Sequence, residues 1–139
     1  MAKQVQPADV ATGPDREIRV LVVDDHQGFR DVLGDLIAAS PGFTLVGVAC
    51  SGQEAIDSVD DLVPELVLMD VVMPGMDGIA AARAILKSHP KVLVVLTSVE
   101  HPALYPGARE LAGEVACIRK QDLRPEQLRH LRKTVEQWA

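Results

Sequence analysis

The segment LVLMDVVMPGMDG at positions 66–78 constrains the fold more than any other part of the chain. Its leading apolar residues form a continuous run, which is typical of a strand buried on both faces of a parallel sheet. The run ends at Asp70, and Pro74 with Gly75 then favours a turn. Asp77 is suited to cap the helix that follows. The segment therefore predicts a carboxylate at the carboxyl end of a buried strand, where open α/β sheets bind their ligands.

The rest of the chain repeats this alternation of strand and helix. Apolar runs predict further strands at residues 18–23, 43–49, 92–96 and 115–119. Helical periodicity follows the first, second, third and fifth strands, and the second of these helices opens with the capping-box spacing of Ser51 and Glu54. We therefore predict an α/β fold, in which a doubly wound five-stranded parallel sheet is flanked by five helices.

Two local expectations accompany this fold. The connection 99–113 contains Pro102, Pro106 and Gly107, so we expect only a short or broken fourth helix around residues 108–112. The first helix is expected to face the core with a stripe of apolar residues spaced by three or four positions: Phe29, Val32, Leu33, Leu36 and Ile37.

Length and charge exclude several classes of protein. A chain of 139 residues is sufficient for one domain, which we place at residues 18–139, and residues 1–17 lack periodicity and are predicted to form a flexible tail. The formal charge of −6 disfavours direct nucleic acid contact. No apolar run approaches the roughly 18 residues of a membrane span, and the start does not resemble a signal peptide. We expect a cytoplasmic protein without membrane contact.

The two cysteines, Cys50 and Cys117, are interpreted as small buried hydrophobic residues. Neither has a cysteine or histidine at metal-ligand spacing. They fall on opposite edges of the predicted sheet, which is too far apart for a disulfide bond.

Polar residues follow the predicted strands where parallel strands share one edge. Carboxylates at Asp24, Asp25 and Asp70 would repel one another there unless a cation is shared among them, and oxygen ligands favour Mg²⁺. A carboxylate can also attack phosphorus, so Asp70 is a candidate phosphoacceptor. Lys120 and Thr97 would supply an ammonium and a hydroxyl to the transferring phosphoryl group.

These motifs in this order resemble the receiver domain of bacterial two-component response regulators, which has the flavodoxin-like, CheY-like strand order 2-1-3-4-5. The resemblance rests on VVDDH at 22–26, LMDVVMPGMDG at 68–78, LTS at 96–98 and Lys120. The segments DDH, FR and PGF at 24–26, 29–30 and 41–43 further resemble the NarL-like branch.

The resemblance implies specific roles for the site residues. Asp70 would accept a phosphoryl group from a sensor histidine kinase or a phosphotransfer protein. Asp25, Asp70 and the backbone carbonyl of Val72 would hold Mg²⁺, and Asp24 would act through a water. Lys120 would contact the phosphoryl group, and Thr97 would report its arrival. The chain would then switch partner or homodimer contacts, and it would not be an enzyme beyond its own phosphorylation and dephosphorylation.

One departure from the family concerns the conformational switch that responds to phosphorylation. Three residues before the lysine, where the family usually has an aromatic side chain, this chain has Cys117. The only tyrosine, Tyr105, lies in the irregular connection. We therefore hypothesise that the switch is altered, weak or coupled to a different movement.

Three other functions are alternatives to a phosphorylatable receiver. A receiver-like docking module that does not use phosphate is one alternative. A hydrolase with an aspartyl-phosphate intermediate is another, although the related phosphatases need a second aspartate where this chain has Val72. A flavodoxin-like cofactor binder is disfavoured because no phosphate-binding loop follows the first strand. NarL-like relatives usually continue into a DNA-binding domain, so we expect either a stand-alone receiver or part of a longer regulator.

Overall fold

The computed structural model describes residues 16–101, 104–111 and 113–138, with the side chain of Trp138 not included. Most of the predicted tail, residues 1–15, lies outside the described residues. The strands are β1 Ile18–Val23, β2 Phe43–Ala49, β3 Leu66–Asp70, β4 Leu93–Ser98 and β5 Val115–Arg119. The α-helices are α1 Gln27–Ala38, α2 Gly52–Leu62, α3 Gly78–Ser88 and α4 Pro125–Trp138.

The strands form one parallel sheet in the order β2-β1-β3-β4-β5. This confirms the predicted fold class and strand order. The central strands β1, β3 and β4 are buried almost throughout, because helices cover both faces of the sheet. None of the helices in the described part of the chain has the length and apolar character needed to span a membrane.

The prediction of five helices is wrong for the described residues, which contain four α-helices. Between β4 and β5, where only a short or broken helix around residues 108–112 is expected, the chain forms a short 3₁₀ turn at Ala108–Leu111. Pro106 and Gly107 precede this turn, and Gly107 has a φ of 87°, so the backbone does not enter an α-helix there. The turn still buries Ala108 and Leu111 in the core.

Two hydrophobic clusters lie on opposite faces of the sheet. One packs the sheet against α2, α3 and the 3₁₀ turn, and the other packs it against α1 and α4. In α1 the predicted stripe is too wide, since Leu33 and Ile37 are buried but Val32 is 58% exposed. The prediction that both cysteines are buried is wrong for Cys50, which follows β2 and is exposed, whereas Cys117 is half-buried in the edge strand β5.

Two side chains cap their helices as the sequence predicts. The Ser51 hydroxyl accepts a hydrogen bond of 3.1 Å from the Glu54 backbone N–H at the start of α2. The Asp77 carboxylate accepts one of 2.8 Å from the Ala80 N–H at the start of α3. These bonds satisfy backbone donors that have no partner within the helix.

Arg132 of α4 connects three segments at the amino end of the sheet. Its guanidinium donates to the carbonyl of Gly42 at 2.8 Å and to the carbonyl of Arg16 at 2.5 Å. It also pairs with Glu136. Gly42 has a φ of 88°, and a Cβ atom there would lie 2.0 Å from the Arg132 guanidinium. The glycine therefore permits both the turn before β2 and this contact.

We expect Arg132→Ala to lower the free energy of unfolding by about 1–3 kcal/mol, because two backbone carbonyls lose a charged donor. Chemical denaturation measures the change. The matched control is Arg129→Ala on the same helix, whose side chain is 66% exposed and lies 3.8 Å from Glu126. That substitution should change stability by less than about 0.5 kcal/mol. Equal losses in the two variants would contradict the role given to Arg132.

Candidate functional site

The predicted site residues meet at the carboxyl edge of the sheet. Asp24 follows β1, Asp70 ends β3, and Lys120 follows β5. Thr97 lies in β4 directly beside Asp70 in the parallel register, and it is buried. The sheet thus brings together residues that are up to 96 positions apart in the sequence.

Lys120 bridges two buried carboxylates. Its Nζ atom lies 2.7 Å from Asp24 Oδ2 and 3.5 Å from Asp70 Oδ2. Asp24 and Asp70 are buried, and the lysine side chain is only 14% exposed. Because β3 and β4 lie between β1 and β5, the lysine side chain crosses the sheet edge to reach Asp24. Charged contacts of this kind are stronger in a partly dehydrated pocket than in water.

His26, which is not among the predicted site residues, also lies at this edge. Its Nδ1 atom lies 3.3 Å from Asp24 Oδ1 and 3.2 Å from Asp25 Oδ1. Its backbone N–H donates to Asp24 Oδ1 at 2.8 Å. Its position directly after the two aspartates in the sequence could have indicated this placement. Arg30, one turn into α1, donates to the backbone carbonyl of Asp24 at 2.7 Å and so holds this loop.

The electrostatic balance of the pocket acts on Asp70. Burial raises the pKa of the Asp70 carboxyl, and the negative charge of Asp24 raises it further. The Lys120 ammonium and the Val72 N–H, which donates to Asp70 Oδ1 at 3.4 Å, lower the pKa but offset only part of the increase. A second cation would therefore favour the charged form of Asp70.

The carboxylate oxygens of the pocket are suitable ligands for a hard cation. Asp24 Oδ2 and Asp25 Oδ1 are buried, and neither accepts a well-aligned hydrogen bond, although Lys120 and His26 lie close enough for ion pairing. One ligand atom each from Asp24, Asp25, His26 and Asp70 lies within 4.8 Å of the others. Carboxylate oxygens without donors are the ligands that Mg²⁺ prefers. The carboxylates thus suit the ion that the sequence predicts.

Gly78 lets the start of α3 pack directly on the backbone of Asp70. A Cβ atom at this position would lie 2.1 Å from the Asp70 carbonyl oxygen and 3.0 Å from Val71 Cα. The Gly78 N–H donates to the Val71 carbonyl at 2.8 Å, and the Val71 N–H donates to the Thr97 carbonyl at 2.9 Å. Hydrogen bonds from α3 and to β4 thus hold the loop after Asp70 in place.

Comparison with known proteins agrees with this fold. Residues 20–133 match the profile of the response regulator receiver domain, so the chain belongs to that family. Response regulator GacA of Pseudomonas viridiflava is 41% identical over 103 residues, which make up 74% of this chain and 48% of GacA. The chain therefore spans about half the length of this curated relative.

Two further matches are a longer protein and a solved structure of a single domain. Protein-glutamate methylesterase/protein-glutamine glutaminase 4 of Geobacter metallireducens is 42% identical over 80 residues, which are 58% of this chain and 23% of that protein. Among solved structures, the response regulator domain of Thermotoga maritima CheB superposes with a TM-score of 0.74 at 31% identity, covering 86% of this chain and 97% of that domain. The likeness to these proteins thus lies in the receiver domain.

We expect Gly78→Ala to destabilise the protein by about 1–3 kcal/mol, because the new methyl group must displace the backbone beside Asp70. Chemical denaturation measures this loss, and the amide resonances of residues 70–72 should shift. Gly28→Ala in α1 is the matched control, since a Cβ atom there meets nothing within 4 Å. That change should be neutral or stabilising by up to about 1 kcal/mol. A neutral Gly78→Ala would contradict the packing argument.

We expect Asp70→Asn to be more stable than the parent protein at pH 7 in metal-free buffer. The folded pKa of Asp70 is raised above its ordinary value of 3.8, so between these two values the folded protein binds more protons than the unfolded chain. The charged carboxylate therefore lowers stability at neutral pH, and this cost disappears as the pH falls below 3.8.

Thermal unfolding at several pH values, with a chelator present, measures this difference. The advantage of Asp70→Asn should be largest at neutral pH and should be lost once the pH falls below 3.8. Asp61→Asn, which changes an exposed carboxylate of α2, is the control and should show little difference from the parent. An advantage that grows on acidification would reverse the sign argued above.

Proposed function

We propose that this chain is a phosphorylatable receiver domain and that Asp70 accepts the phosphoryl group from a phosphohistidine of a kinase or phosphotransfer protein. The observation that carries the proposal is the contact of Lys120 with both Asp24 and Asp70 at the carboxyl edge of the sheet. It supports the proposal because an ammonium beside an acidic pocket can neutralise charge on a phosphoryl group that enters it.

In the transfer, a carboxylate oxygen of Asp70 forms the new O–P bond while the donor's P–N bond breaks. The bonding electron pair stays on the imidazole nitrogen of the donor. Lys120 moves its ammonium from the carboxylates toward a phosphoryl oxygen, and Thr97, the neighbour of Asp70 in β4, donates its hydroxyl to another. Bound Mg²⁺, held by Asp25, Asp70 and the Val72 carbonyl with Asp24 acting through a water, would neutralise further phosphoryl charge.

The test is incubation with acetyl phosphate and Mg²⁺, followed by intact mass spectrometry. We expect the mass of one added phosphoryl group, which is absent in Asp70→Asn and strongly reduced when Mg²⁺ is chelated. Asp61→Asn should be modified like the parent protein. Lys120→Ala should still bind the metal but react poorly. An unmodified parent protein with every small phosphoryl donor would contradict the proposal and favour a docking module that does not use phosphate.

We further propose that the response to phosphorylation differs from the usual one in this family. Cys117 takes the place of the aromatic residue, and a 3₁₀ turn occupies part of the β4–β5 connection. Tyr105 from that connection packs on the same hydrophobic cluster as Cys117. We expect a phosphoryl mimic to change amide shifts mainly next to Thr97 and Lys120. A uniform change across residues 99–120 would contradict this proposal.

A further inference from the structure

Phe29 of α1 lies against the ammonium group of Lys120. The Nζ atom is positioned over the ring, 4.4 Å from its centroid. The ring is half-buried and packs on the hydrophobic cluster that joins α1 and α4 to the sheet. The contact joins the helix after β1 to the residue that follows β5, and it lies on the site described above.

The Phe29 ring confines the Lys120 ammonium on a side that the carboxylates do not cover. Asp24 and Asp70 attract the ammonium from the pocket, but a lysine has four flexible methylene groups and an ammonium that is strongly hydrated. The face of an aromatic ring carries negative potential, so it attracts the cation while excluding water from that side. Lys120 is thereby confined between two acidic groups and one aromatic face.

The ring also tolerates movement of the ammonium. It attracts the cation without a directional hydrogen bond, so the N–H donors of Lys120 remain available to the carboxylates. When Nζ exchanges an oxygen of Asp24 or Asp70 for a phosphoryl oxygen, the attraction to the ring persists over a displacement of an ångström or so, since it extends to about 6 Å.

We propose that Phe29 is a positioning residue that holds the Lys120 ammonium ready for the incoming phosphoryl group. This inference rests on the proposed function for its kinetic consequence, but the placement of the ammonium is testable without any phosphoryl donor. An apolar side chain of similar size would fill the space against the core, and it would lack the aromatic face.

The kinetic test compares Phe29→Leu with Phe29→Tyr in reaction with acetyl phosphate at saturating Mg²⁺. Leucine should slow phosphorylation of Asp70 by about three- to tenfold, and tyrosine should stay within about twofold of the parent because it keeps the ring. In a Lys120→Ala background, the leucine substitution should have no further effect, since the group that it positions is gone.

The matched control is Phe43→Leu. Phe43 is the other phenylalanine, and it is buried in the same hydrophobic cluster, but it begins β2 at the opposite end of the sheet. Its substitution should lower stability without changing the rate. Rates that fall equally in Phe29→Leu and Phe43→Leu would reduce the role of Phe29 to ordinary core packing and overturn the proposal.

A second measurement separates this inference from the proposed function. The ε-methylene protons of Lys120 should show an upfield ring-current shift in the unphosphorylated parent protein. The shift should persist in Phe29→Tyr and be lost in Phe29→Leu. If acetyl phosphate leaves the parent unmodified but the shift behaves in this way, the proposed function fails while the positioning of Lys120 stands. An unchanged shift in Phe29→Leu would overturn the positioning itself.

Discussion

The repulsion between carboxylates at one edge of the sheet is the constraint on which the site depends. Asp24 and Asp70 are both buried there, and the Lys120 ammonium contacts the two. The raised pKa of Asp70 is the consequence, because burial and Asp24 together outweigh the lysine. The pocket therefore favours the entry of further positive charge. Mg²⁺ that accompanies a phosphoryl group would supply this charge.

The surrounding packing prevents the pocket from relaxing. Gly78 brings the start of α3 against the Asp70 carbonyl, Arg30 holds the Asp24 carbonyl, and hydrogen bonds tie Val71 to α3 and to β4. The central strands are buried on both faces, so they cannot move apart without exposing both hydrophobic clusters. Rigid elements thus keep like charges close, and Lys120, which follows the edge strand β5, bridges two of them.

Much of the fold and most of the site were predictable because each strand carries its own signal. The apolar runs, the helical periodicity and the residues after each strand led to the parallel sheet and to Asp24, Asp25, Asp70, Thr97 and Lys120 at one edge. The errors arose where tertiary packing decides which residues are buried and which type of helix forms. Val32 matches the helical stripe but lies beyond the area that the sheet covers, and the short helix expected between β4 and β5 forms as a 3₁₀ turn rather than as a fifth α-helix.

The sequence by itself determined which segments are strands and helices and which polar residues end the strands, since these follow from local periodicity and from glycine and proline. Only the tertiary structure decided which of those groups touch. Lys120 reaches Asp24 across two intervening strands, and Phe29 meets Lys120 although 91 positions separate them. Such distances depend on the order and twist of the strands and on side-chain rotamers, which no local pattern specifies.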